Sequence, residues 1–199
     1  MSGVAASLIV LQRFDELADV ASEMVDLHSR YGPPMLHYFA LGMQAYAAQY
    51  RGRHEEARRL FDEAERLALP AGTYRVLQTA QARLTFETGD HVGACRILRG
   101  NIEVLLDSEC TDVTRMVAVE FVPMMAALDR LADAARVLPY LDTTGDFATM
   151  AGTHLIAEQV RRIESDPALT AHLTGDSDAT AALFHMREVL EDVIAREPR

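Results

Sequence analysis

The feature that most constrains this chain is a short turn-and-helix motif that comes back four times. It reads Gln12-Arg-Phe-Asp-Glu-Leu17, Gly52-Arg-His-Glu-Glu-Ala57, Gly89-Asp-His-Val-Gly-Ala94 and Leu128-Asp-Arg-Leu-Ala-Asp-Ala134, the first and the last without the glycine. The equivalent positions 17, 57, 94 and 134 are spaced 40, 37 and 40 residues apart. Self-similarity at such a period marks a chain built from one supersecondary unit used repeatedly, each copy burying an apolar face that it cannot bury alone.

The most complete unit runs from Leu41 to Ala64. One helix is expected to end near Arg51, Gly52 makes the turn, and a second helix starts near His54. Ala45, Ala57 and Ala64 fall where the two helices of a hairpin must approach closely, with Leu41, Leu60 and Phe61 filling the space between them. Composition agrees with helices throughout: Ala, Leu, Arg and Glu dominate, Trp is absent, and aromatic residues make up 7%. The same reading places helices over 4–11, 14–30, 34–51, 54–68, 73–88, 91–106, 111–128, 131–144, 147–163 and 178–195, with a turn after Pro167 and a kink at Pro123.

The unit resembles a tetratricopeptide repeat. The family's small, turn, aromatic and large apolar roles fall on Ala45, Gly52, His54, Ala57, Phe61 and Ala64, with the helix-ending proline at Pro70, displaced by one position. A tetratricopeptide unit is about 34 residues, so these copies are stretched by longer loops. The resemblance implies an all-α, tetratricopeptide-like superhelix of about four helical hairpins (about 1–31, 33–70, 73–107 and 111–145). Capping helices would follow over 146–199, and the whole would be one continuous domain.

In that family the first helix of each pair lines the concave side. Carried over by position, the groove would draw on Phe39, Gly42, Tyr46, Gln49 and Tyr50, then Val76, Thr79, Arg83, Phe86 and Glu87, then Met116, Val119, Glu120 and Ala127. The ligand-binding set expected from it is Phe39, Tyr46, Gln49, Tyr50, Thr79, Arg83, Glu87, Met116 and Glu120. The set departs from the chaperone-binding members, which clamp a peptide carboxylate with Lys and Asn.

Several chemistries are disfavoured by the residues themselves. A net charge of −11 opposes direct binding to nucleic acid or to anionic membranes. Every basic residue is Arg, so a phosphate-binding Gly-Lys-Ser/Thr loop and a Schiff-base lysine are both excluded. His54-Glu55-Glu56 lacks the second histidine four residues on that a zinc helix needs, since position 58 is Arg. No Gly-x-Ser-x-Gly elbow is present. Cys95 reads as a small buried residue, and two cysteines, Cys95 and Cys110, make no metal, redox or disulfide framework, which fits a reducing cytoplasm. The run Val4–Leu11 is too short to span a bilayer. No catalytic residue, metal site or cofactor is expected. The apolar first helix lacks the polar outer face of an end repeat, so it is expected either to continue into a longer superhelix or to pack on a second copy as a homodimer.

Taken whole, the chain resembles the repeat arm of large bacterial LuxR-type and SARP-type ATP-dependent transcriptional regulators, in segments such as Gly52-Arg-His-Glu-Glu-Ala-Arg58 and Ala134-Ala-Arg-Val-Leu-Pro-Tyr-Leu141. That resemblance implies a cytoplasmic protein-interaction or effector-sensing module in signal transduction. Its partner would be a protein, a peptide or a small effector. The alternative is a small helical-repeat enzyme of secondary metabolism, with Tyr46, Arg83, Glu87 or Glu120 acting as acid or base in the concave pocket.

Overall fold

The structure, a computed structural model, describes residues 2–67, 77–108, 114–141, 147–173 and 178–196. All regular structure among them is α-helical. Pro70, Gly72, Val76, Cys110 and the expected helix ends at 68, 73, 111 and 144 lie outside the described residues.

Each of the four motif copies folds into the same backbone turn. Gln12, Gly52, Gly89 and Asp129 have φ of 54°, 73°, 97° and 58°, the left-handed region in which an incoming helix is commonly stopped. The next residue then donates its N–H five positions back: Arg13 to Leu8 (2.9 Å), Arg53 to Ala48 (2.9 Å), Asp90 to Thr85 (3.1 Å) and Arg130 to Met125 (2.8 Å). These bonds satisfy carbonyls that the helix end would otherwise leave unpaired. The carbonyl of that same residue accepts the first bond of the next helix, from Leu17, Ala57, Ala94 and Ala134 at 3.0, 3.0, 3.0 and 3.2 Å. All four of these side chains are fully buried.

The helix starts use two different side-chain devices. Arg13, Arg53 and Arg130 cannot cap with their side chains, and each instead pairs with an acid three residues on, Glu16 (2.5 Å), Glu56 (3.4 Å) and Asp133 (2.7 Å). An acid in the first turn also suits the positive end of the helix dipole. In the third turn Asp90 caps directly, accepting from the Gly93 N–H at 2.8 Å. A Cβ at Gly93 would come within 2.1 Å of the Asp90 carboxylate, so the glycine makes room for the cap.

Contacts divide the chain into two compact units, Met1–Thr73 and Tyr74–Arg199. The first holds α1 (Ser2–Val10), α2 (Phe14–Tyr31), α3 (Pro34–Tyr50) and α4 (His54–Glu65). Each helix packs on the next. Leu17, Ala21 and Met24 recur every three to four residues along α2 and form its buried stripe. Ala45, Ala57 and Ala64 are fully buried beside Leu41, Leu60 and Phe61, which is the close approach expected of the hairpin α3–α4.

The second unit holds α5 (Leu77–Glu87), α6 (His91–Ser108), α7 (Thr114–Ala127), α8 (Leu131–Ala135), α9 (Leu138–Leu141), α10 (Phe147–Glu164), α11 (Pro167–Thr170) and α12 (Ala179–Ala195). Its core joins Leu98, Ile102 and Leu105 of α6 with Phe121 and Met125 of α7 and Leu183, Met186 and Leu190 of α12. The helix α7 runs on through Pro123.

The single helix expected over 131–144 is instead two short pieces, α8 and α9, broken at Arg136–Val137. Pro139 is the physical reason: it lacks an N–H, and its ring would collide with the carbonyl of Ala135 in a continuous helix. The bridging bonds are three-residue ones, Val137 to Ala134 (3.1 Å) and Tyr140 to Val137 (3.2 Å). With that helix cut short, the α6 flank is covered from farther along the sequence. The amphipathic α12 packs on α6 while α10 packs on α7.

The left-handed turns make a direct prediction. Nothing lies within 4 Å of a Cβ built at Gly52 or Gly89, so substitution there tests backbone conformation alone. Gly52→Ala and Gly89→Ala should each lower the unfolding free energy by about 1 kcal/mol. Gln12→Gly and Asp129→Gly should cost less than that or stabilise, since the penalty is already present. Urea denaturation midpoints at constant m-value would measure both.

Candidate functional site

In the second hairpin of the first unit, α3 carries Phe39, Tyr46, Gln49 and Tyr50. Gln49 is buried, whereas Phe39, Tyr46 and Tyr50 are half-buried. The two tyrosines are one turn apart and join through their hydroxyls at 3.2 Å. Phe14, at the start of α2, stacks on Tyr50 with ring centroids 4.4 Å apart and an interplanar angle of 12°, and lies 6.4 Å from Tyr46. Beside them Arg51 reaches Asp15 at 2.9 Å. The first turn is thus set against the end of α3 by an aromatic stack and an ion pair. Phe14 is readable from sequence as the aromatic of its turn; its pairing with Tyr50 is not.

In the second unit the expected residues Thr79, Arg83 and Glu87 occupy successive turns along one face of α5, and Met116 and Glu120 lie on α7. Arg83 donates to Glu120 across the two helices, an ion pair in which the residues are only 7% and 6% exposed. Thr79 is also buried, Met116 half-buried and Glu87 exposed. Arg83 and Glu120 therefore hold each other rather than standing open to a ligand. Burial pushes the Glu120 carboxyl up to about 7; Arg83 pulls it down, and the like charge of Glu87 pushes it up again. One carboxylate oxygen takes the guanidinium, while the other, Oε2, has no hydrogen-bond partner.

Six polar or charged residues are buried among the described residues. Gln49, Thr79, Arg83, Thr114 and Glu120 are on α3, α5 and α7, the first helices of their hairpins, and only Asn101 is on a second helix, α6. Buried polarity thus concentrates on the helices expected to face a ligand. Sequence reading missed Asn101, whose side-chain amide has no hydrogen-bond partner.

It also missed Arg130, whose turn position gave no hint of a wider role. Its guanidinium donates to Asp133 (2.7 Å) and Asp192 (2.7 Å), and His185 Nε2 lies 3.2 Å from the Asp133 carbonyl, so the fourth turn is tied to α12. His91 stacks on Phe86 at 4.2 Å and acts as the aromatic of its turn. Cys95 is fully buried, and burial raises its thiol to about 11 against the lowering effect of Arg130. A thiol held protonated in this way is a poor nucleophile. Among the described residues no group of three or more His, Cys, Asp or Glu side chains could hold a metal ion, and no helix is long and apolar enough to cross a membrane.

Two outcomes follow from the titratable groups. Glu120 is raised from 4.5 unfolded to about 7 folded, so the native state holds the proton more tightly between those values. Its contribution to stability is fully present below pH 4.5 and is lost as pH rises through about 7, a change of about 3 kcal/mol. Glu120→Gln should remove that slope, seen as a pH-dependent difference between the unfolding free energies of the two proteins. Cys95 should resist iodoacetamide in the native protein and react once urea unfolds it, as peptide mapping would show; equal rates in both conditions would contradict its burial.

No family model, curated protein or solved structure matches the chain.

Proposed function

We propose that this chain is a tetratricopeptide-like interaction module that binds a protein or peptide segment through the faces of its first helices and has no chemistry of its own. The observation that carries the reading is the repeated turn. Four hairpin turns with the same hydrogen bonds, each closing over a fully buried Leu or Ala, are what an array of stacked helical hairpins requires. Such arrays expose one helix of every pair along a surface suited to an extended partner.

The side chains on those helices support binding over catalysis. Phe39, Tyr46 and Tyr50 are partly exposed aromatic residues, the type enriched where interfaces gain most of their affinity. Tyr46 and Tyr50 are already oriented by their mutual contact and by Phe14, which lowers the ordering cost of binding. In the second unit Arg83 is engaged with Glu120, and Arg130 with Asp133 and Asp192. A net charge of −11 favours a partner with basic segments and an association that weakens with salt. A place as the sensing or scaffolding arm of a bacterial regulatory system, in the cytoplasm, fits this reading.

Screening the immobilised protein against an array of basic and neutral peptides would test it. Binders should be recovered, and the folded double variant Phe39→Ala/Tyr46→Ala should lose at least tenfold in affinity while keeping its helical circular dichroism. Recovery of binders whose affinity the folded variant leaves unchanged would reject the first-helix face as the site.

A further inference from the structure

The first hairpin is built from helices of unequal length. α1 has nine residues and α2 has 18, so their axes reach about 14 Å and about 27 Å. Only residues 11–13 separate them, and a connection that short sets α1 antiparallel against the first half of α2. Leu27 and Tyr31 lie on α2 beyond the level at which α1 stops. Both are left in water, Tyr31 82% and Leu27 46% exposed.

The side of α2 on which they stand follows from its other contacts. Phe14 meets Tyr46 and Tyr50 of α3, which puts α3 on one flank of the buried stripe Leu17, Ala21 and Met24. At about 3.6 residues per turn, Leu27 and Tyr31 fall on the opposite flank, the one α1 packs on. α1 has an unfilled side of its own. Ala5, Leu8 and Ile9 are buried, whereas Val4 and Leu11, seven residues apart and so on one side, are 54% and 61% exposed. No residue from Ser2 to Val10 is charged.

The two unfilled surfaces match each other. The uncovered half of α2 is nine residues long (18 less 9), which is the length of α1. A two-fold axis at the start of α1 sets the α1 of a second copy on that half, end to end with the first. The same rotation lays the second copy's α2 over the exposed side of α1. Tyr31 of one copy then comes level with Leu11 of the other, and Leu27 with the turn that holds Val4. Mutual filling of this kind is the self-complementarity that a two-fold interface needs. An uncharged α1 can enter between two α2 helices without desolvating an ion, and it keeps like charge out of a contact between two chains of net charge −11.

We propose that the first hairpin is a dimerisation surface for a second copy of this chain, in which α1 of each copy fills the uncovered half of α2 in the other. Val4, Leu11, Leu27 and Tyr31 form its apolar centre. The inference concerns α1 and α2 and does not rest on the binding role proposed above.

Sedimentation of the intact chain over a range of concentrations tests it. The chain should pass from one copy to two, and added salt should tighten the dimer, because screening relieves the repulsion between acidic copies. Leu11→Glu and Tyr31→Arg should each weaken association about tenfold or more while keeping their helical circular dichroism. An equimolar mixture of the two variants should dimerise again, since one Glu then meets one Arg while the second Leu11–Tyr31 contact stays intact. A chain that remains single into the millimolar range overturns the proposal, as does a dimer that both folded variants leave unchanged. Two monomeric variants that stay apart on mixing rule out the seating of α1 on α2. Should Leu11→Glu disturb the neighbouring turn, Tyr31→Arg at its exposed site and the salt response of the intact chain decide the matter.

Discussion

The structure depends on a single backbone device, the left-handed residue that halts one helix and lets the next begin two residues later. It fixes the angle at which the chain leaves the first helix and thereby decides which face of the second turns inward. Because the closing bond and the opening bond share one residue (Arg13, Arg53, Asp90 or Arg130), the buried position four residues on is placed relative to the turn with little freedom. Leu17, Ala57, Ala94 and Ala134 are buried for that reason, and not merely because they are apolar.

Two of the four turns use a residue other than glycine at the left-handed position. Gln12 and Asp129 accept a conformation that costs side chains about 1 kcal/mol or more. That this is tolerated shows how strongly the hairpin packing around each turn specifies it. The cost is offset by the buried residue four positions past each turn and by the paired Arg and acid at the following helix start.

Much of the helical layout could be read from residue order, because turn chemistry and apolar spacing are local. Gly52 and Gly89 announce their turns directly, and the offset to Leu17 and Ala134 reveals the other two despite the missing glycine. Pro139 was equally local and should have divided the helix expected over 131–144. The candidate site was less accessible. Arg83, Thr79, Gln49 and Glu120 look like surface residues in sequence, since polar side chains are seldom buried without partners. Their burial follows from which helix lies against which, as the Arg83–Glu120 pair shows. The stack of Phe14 on Tyr50 is of the same kind. Local rules name each ring, and only tertiary packing brings them together.

The divided helix after the fourth turn also has a bearing on how the chain acquires its structure. Hairpins of adjacent helices form from near neighbours in sequence and close quickly. The partner that completes the α6 surface is α12, and the tie that anchors it joins Arg130 to Asp192, 62 residues away. Contacts of such separation carry a larger loop-closure entropy and tend to slow folding. Among the described residues of the first unit, each helix packs chiefly on its neighbour in sequence. That unit can consolidate from such local pairings, so on a ribosome its core can assemble while the apolar side of α6 still waits for a helix yet to be synthesised.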